Sequence, residues 1–110
     1  MDSIRLMTLA EELIAEASEH SSGRVARTVH GGHEHTLRQT VIALASGRRL
    51  GEHESPGEAT LQVLTGRVRL HAGDEQWDGV AGDYLAIPPA RHDLEALEDA
   101  AVILTVVVNR

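Results

Sequence analysis

The chain contains no cysteine. That excludes a disulfide framework, a thiolate metal cluster and a cysteine nucleophile. Lysine is also missing, and all ten basic residues are arginine. No lysine is therefore on hand for Schiff-base chemistry, and the arginine-only usage reads as the coding bias of a high-GC bacterium. Phenylalanine is absent, and Trp77 and Tyr84 are the only large aromatics. A pocket built from them cannot clamp a flat ring between stacked aromatics, which disfavours flavin or nucleobase stacking. Basic charge is in short supply, with 10 arginines against 17 acidic residues and a net charge of -7. Non-specific binding to nucleic acid or to an anionic membrane needs a basic face, so neither partner is expected. The longest apolar run, Ala100 to Val108, is strand-sized and too short to span a membrane. Glu11 and Glu12 interrupt the N-terminal apolar pattern, unlike a secretory signal. The expectation is a soluble cytoplasmic protein.

What is present fits one domain. A chain of 110 residues buries about 65% of its unfolded surface, enough for a single core. Leu6, Leu9, Ala10, Leu13, Ile14 and Ala17 recur at three- and four-residue steps and predict an amphipathic helix within residues 1–22. Thr8 and Glu11 have the spacing of a capping box, with Asp2 or Ser3 as earlier starts. Ser21, Ser22 and Gly23 end the helix. Short strand candidates then follow at Arg24 to His30, Thr36 to Ala45, Ala59 to Leu64, Arg67 to Ala72, Gln76 to Val80, Tyr84 to Pro88, His92 to Leu97 and Ala101 to Val108. Glycine or proline punctuates most of the gaps. Many short strands at near-even spacing indicate an all-β sandwich or barrel over residues 23–110, with the helix appended.

Two stretches carry a resemblance. Gly51 to Gly66 reads Gly-Glu-His-Glu-Ser-Pro-Gly-Glu-Ala-Thr-Leu-Gln-Val-Leu-Thr-Gly, and Gly82 to His92 reads Gly-Asp-Tyr-Leu-Ala-Ile-Pro-Pro-Ala-Arg-His. Together they resemble the two motifs of the cupin superfamily, over roughly Gln39 to Val108. The resemblance implies a double-stranded β-helix, the small jelly-roll barrel of single-domain bacterial cupins. It also implies a metal site: His-x-His and a Glu or third His from the first motif, one more His from the second. Such nitrogen and oxygen donors suit Fe, Mn, Ni, Cu or Zn.

The match to that ligand set is half complete. Counting back from Gly66 puts His53 on the first position, Ser55 on the second and Ala59 on the third, while His92 falls on the fourth. His53 and His92 are thus the metal-ligand candidates. A catalytic site typically has about three protein ligands. The cofactor expectation is accordingly one divalent transition metal or none. Glu58 and Glu54 are each one residue out of phase and face away unless a bulge at Pro56-Gly57 corrects them. His33 and His35 form a second His-x-His, either closing over the barrel mouth or lying in a solvated loop.

The expected ligand pocket comprises His53, Ser55, Ala59, Leu61 and His92, provided Ala59, Leu61 and Val63 share the inward parity of His53. Its apolar lining suits a small, weakly polar molecule. Two functions stay open: a small-molecule-binding cupin with a retained metal, or a metal-free, non-catalytic ligand-binding or sensor module. Arg38 could bind a carboxylate if it points inward, but the two faces of its strand are too alike to decide. Asp93 should face away from the pocket. Ser55 with His92 lacks a nucleophile elbow. Arg67, Arg69, His71 and the acidic turn at Asp74, Glu75 and Asp78 read as solvated surface. A homodimer is expected, with the helix stripe lying on its own barrel or on a partner's.

Overall fold

The computed structural model describes residues 1–54 and 57–108. Helix α1 spans Leu6–Glu19 and is followed by eight strands. These are β1 (Arg24–His30), β2 (Leu37–Leu44), β3 (Ala59–Thr65), β4 (Arg67–Ala72), β5 (Glu75–Val80), β6 (Tyr84–Ala86), β7 (Asp93–Ala96) and β8 (Ala100–Val107). Two antiparallel sheets result. One has the order β1-β2-β8-β3-β6, the other β5-β4-β7.

The smaller sheet is wider than its three strands. Residues 47–53 run antiparallel to β7 through Gly47 N–H to Ala96 O, Leu50 N–H to Leu94 O and His53 N–H to His92 O. The same segment forms isolated bridges at Arg49–Glu95 and His53–His92. The two sheets therefore enclose the barrel as a jelly roll.

Strand parity sorts the side chains into two cores. Ile42 and Leu44 of β2, Ala59, Leu61 and Val63 of β3, and Ala100 and Val102 of β8 face the smaller sheet. There they meet Val68 and Leu70 of β4 and Leu94 and Ala96 of β7. The intervening positions Val41, Ala43, Ala101 and Ile103 face outward and would be wet in a bare barrel. Leu9, Ala10, Leu13 and Ala17 of α1 cover them. The helix stripe is thus buried on its own sheet. Full burial of a leucine such as Leu13, 0% exposed, is worth about 2 kcal/mol.

The helix begins later than a cap at Asp2 or Ser3 requires. Its N-cap is Arg5, with no side-chain cap hydrogen bond. Thr8 lies within the helix, so the Thr8–Glu11 capping box does not form. Burial of the apolar stripe sets the helix, and local capping does not. Strand β6 stops at Ala86, short of the expected Pro88, which has no N–H for a ladder. Gly66 turns β3 into β4 with φ +85, and a Cβ there would collide with the Asp99 carbonyl and Ala100.

Candidate functional site

His53 and His92 meet across the edge of the smaller sheet. Each backbone N–H donates to the other's carbonyl at 3.0 Å, so the pair forms a closed antiparallel bridge. The imidazoles stand edge to face, with centroids 4.3 Å apart and planes at 71°. His92 is buried, at 3% exposure, while His53 is exposed.

Hydrogen bonding fixes the tautomer of both rings. His53 Nδ1 lies 2.9 Å from the Gly51 carbonyl, and His92 Nδ1 lies 2.8 Å from the Ala90 carbonyl. A carbonyl only accepts, so each Nδ1 carries the proton. In the neutral ring Nε2 is then a lone-pair acceptor. Among the described residues neither Nε2 has a hydrogen-bond partner. The site offers two adjacent acceptors at a mostly apolar wall.

That wall is formed by Ile42, Leu50, Leu61, Ile87, Leu94 and Leu104, which with the two histidines enclose a cavity of about 20 Å³. Such a space holds about one water. Leu61 faces the interior at 2% exposure, in phase with Ala59 and Val63. Ala59 is buried in the same cluster at the start of β3 but does not wall the cavity. Ser55 lies outside the described residues.

Among the described residues the donor set does not fit a resident metal. Among the described residues no three His, Asp or Glu side chains come together as a ligand group. Ala59 offers a methyl where an oxygen is needed. Glu58 is exposed and out of phase with it. His33 and His35 do not complete the group: the His35 ring packs against His30, with centroids 4.7 Å apart. Two imidazoles remain, below the roughly three ligands of a catalytic metal centre.

Asp93 has a role that was not visible in the sequence. It faces away from the barrel, as its phase requires, yet it is only 4% exposed. Its Oδ1 accepts Gly51 N–H at 2.9 Å, and its Oδ2 pairs with Arg49 Nη1 at 3.3 Å. Gly51 in turn holds the His53 ring through its carbonyl. Asp93 therefore anchors the strandless segment that presents His53. No local signal could reveal this, because Gly51 and Asp93 are brought together only by the pairing of residues 47–53 with β7.

The outer face of the smaller sheet is a polar ladder. Arg69 forks onto Asp78 at 2.7 and 2.9 Å across β4 and β5. His71 Nε2 donates to Glu95 Oε1 at 2.8 Å, and Arg49 adds a bond to the same oxygen at 3.3 Å. The His71 hydrogen bond, with Arg49 assisting, holds the Glu95 carboxyl below the usual glutamate range, against the opposing effect of desolvation. Trp77 packs partly buried against the interior cluster.

The family profile for the cupin domain matches residues 40–108. This chain belongs to the cupin family. Solved structures agree on the fold. A conserved protein of unknown function from Streptococcus pyogenes superposes with a TM-score of 0.72 at 27% identity, covering 83% of this cupin and 79% of that chain. KdgF from Halomonas sp. gives 0.70 at 21% identity, covering 84% and 92%. The cupin domain of an XRE family transcriptional regulator from Enterobacter cloacae gives 0.67 at 13% identity, covering 79% and 98%. No curated protein matches the chain. Among the described residues of this cupin no helix is long and apolar enough to cross a membrane.

Proposed function

We propose that this cupin is a small-molecule-binding module that works without a resident metal. The observation that carries the reading is the His53–His92 pair: two imidazoles whose Nδ1 atoms donate to backbone carbonyls, two Nε2 atoms turned to the cavity wall and, among the described residues, no third ligand. A hydroxyl or amide N–H of a ligand supplies the matching donor, and its apolar part rests on the leucine wall. Shape alone does not name the ligand.

The cavity of about 20 Å³ is too small for most metabolites as it stands. Leu50 and Ile42 also line an open groove of about 360 Å³ beside Arg24 and Ala26. Displacement of the Leu50 side chain joins groove to cavity and provides the route in. Leu50 suits this task because it sits on the strandless segment 45–53, outside the main strands of the barrel.

A metal-bound reading has one observation in its favour. Imidazoles that bind metals usually donate their other N–H to a carbonyl or carboxylate, as both rings do here. Elemental analysis of untagged protein, purified without chelator and then incubated with Fe, Mn, Ni, Cu and Zn, separates the two. The expected result is no stoichiometric metal. A near-equimolar metal that disappears in the His53→Ala/His92→Ala variant overturns the proposal. A thermal-shift screen of small metabolites then seeks compounds that raise the melting temperature of the native chain but not of that variant. A screen in which every hit stabilises both equally also counts against the pocket.

A further inference from the structure

Strand register settles the direction of Arg38. On β2, Ile42 and Leu44 face the barrel core, whereas Val41 and Ala43 face the helix. Arg38 shares the phase of Ile42 and Leu44, two steps further towards the strand's start, and so lies on the inner face. Across the sheet it pairs with Val106, which pairs with Ala59. The adjacent rung is Thr40, Leu104 and Leu61, and the two leucines wall the histidine cavity. Arg38 therefore stands at the open end of the barrel, about 7 Å along the strand from that rung.

Its surroundings form a second concavity. Arg38, His33, Gly32 and Val108 line a depression of about 250 Å³. Gly31, with φ +132, lets the Arg38 stem lie across it, because a Cβ there would come within 3.2 Å of Arg38 Cα and Cγ. The guanidinium makes no ion pair or hydrogen bond among the described residues. This contrasts with Arg27, Arg49, Arg67, Arg69 and Arg91, each of which has a carboxylate partner. Arg24, also in the inward phase, is instead satisfied by the Arg49 and Leu50 carbonyls, and Arg5 and Arg48, which also lack a carboxylate, lie outside the strands. In a chain with 17 acidic residues, an inward-phased guanidinium that meets neither a carboxylate nor a carbonyl keeps its full donor fork for a ligand.

We propose that Arg38 and His33 form an anion site at the barrel mouth that takes the carboxylate of a small organic acid. The guanidinium fork matches a carboxylate in two parallel hydrogen bonds. The His33 ring, on the connection from β1 to β2, adds a donor, and Val108 meets the acid's apolar part. The site uses none of the residues of the His53–His92 pocket, so the two proposals stand or fall separately.

The test is an NMR titration of the full chain with acetate and benzoate, using acetamide and benzamide as uncharged matches. The carboxylates are expected to shift the Arg38 Nε–H resonance and the amides of residues 32, 33 and 108 in a saturable way, while the amide compounds leave them unmoved. Arg38→Gln should weaken binding about tenfold, the loss of a hydrogen bond to a charged group. Arg38→Lys should fall between, keeping the charge and losing the fork. Both variants are at an exposed position, so folding is preserved. No shift at these positions up to about 10 mM carboxylate, a range covering even weak binding, overturns the proposal. So does an equal response to the amides, or undiminished binding in Arg38→Gln. The ring signals of His53 and His92 in the same spectra report on the barrel pocket and leave the Arg38 outcome unaffected.

Discussion

The carboxylate of Asp93 accepts the backbone N–H of Gly51 at 2.9 Å, across 42 residues of sequence. The contact fastens a segment with little regular structure to β7, next to His92. Its removal tests how the site is held. Asp93→Ala leaves the Gly51 N–H without its acceptor and strips Arg49 of one of its two carboxylate partners. The expected loss is about 2 kcal/mol in urea unfolding. The His53 resonances should broaden as the 49–53 segment loosens. A change within about 0.5 kcal/mol, the size expected of an ordinary surface substitution, would show that the contact is incidental.

Leu13 offers a separate test of the helix. It is fully buried between α1 and the outer face of the larger sheet. Leu13→Ala should destabilise the whole chain by about 2–5 kcal/mol in a single transition. If instead helical circular dichroism is lost well before the β signal, α1 docks as an independent unit.

Glu95 makes stability depend on pH. Its carboxyl is held below the ordinary value of 4.5, chiefly by the His71 hydrogen bond and then by Arg49. A carboxyl whose folded-state pKa is depressed stabilises the fold fully above its unfolded value. That contribution is lost as pH falls through the folded value. Native protein should therefore melt higher than Glu95→Gln at about pH 6, with the gap closing below about pH 4. A gap that stays constant down to pH 3, on the order of a unit below the ordinary value, argues against an ionised Glu95 as its source.

A homodimer remains the expectation for solution. The helix covers its own sheet, so a second copy has no helix stripe to receive. The outer edge of β1 is open over Arg24–His30, however, and Ile4 and Met7 are exposed at the start of the helix. Such edges invite pairing. Light scattering after gel filtration should give twice 11.9 kDa. A single species of 11.9 kDa at micromolar concentration removes the expectation.

Much of the barrel was legible because its information is local. Alternation of Val, Leu and Ile with polar residues, cut by glycine and proline, places β3, β4 and β8 within about a residue of their observed limits. The helix stripe was equally plain, and it was buried as its spacing requires. Its start was misplaced because the apolar face, buried by tertiary packing, outweighed the cap signal of Thr8 and Glu11.

The site was less legible. The sequence alone named His53 and His92, and their common wall follows from β phase at Leu61. It also determined that Ala59 brings no ligand atom, since a methyl has no lone pair. Whether another side chain took its place was a question of distance between segments, and only the folded chain answered it. The tautomers of the two rings, the anchoring of Gly51 by Asp93 and the burial of that carboxylate all depend on the pairing of residues 47–53 with β7. The direction of Arg38 needed the same kind of information. Its strand is apolar on both faces because one face meets the barrel core and the other meets the helix. Composition cannot separate two buried faces, whereas the register between β2 and β8 assigns each residue to one of them.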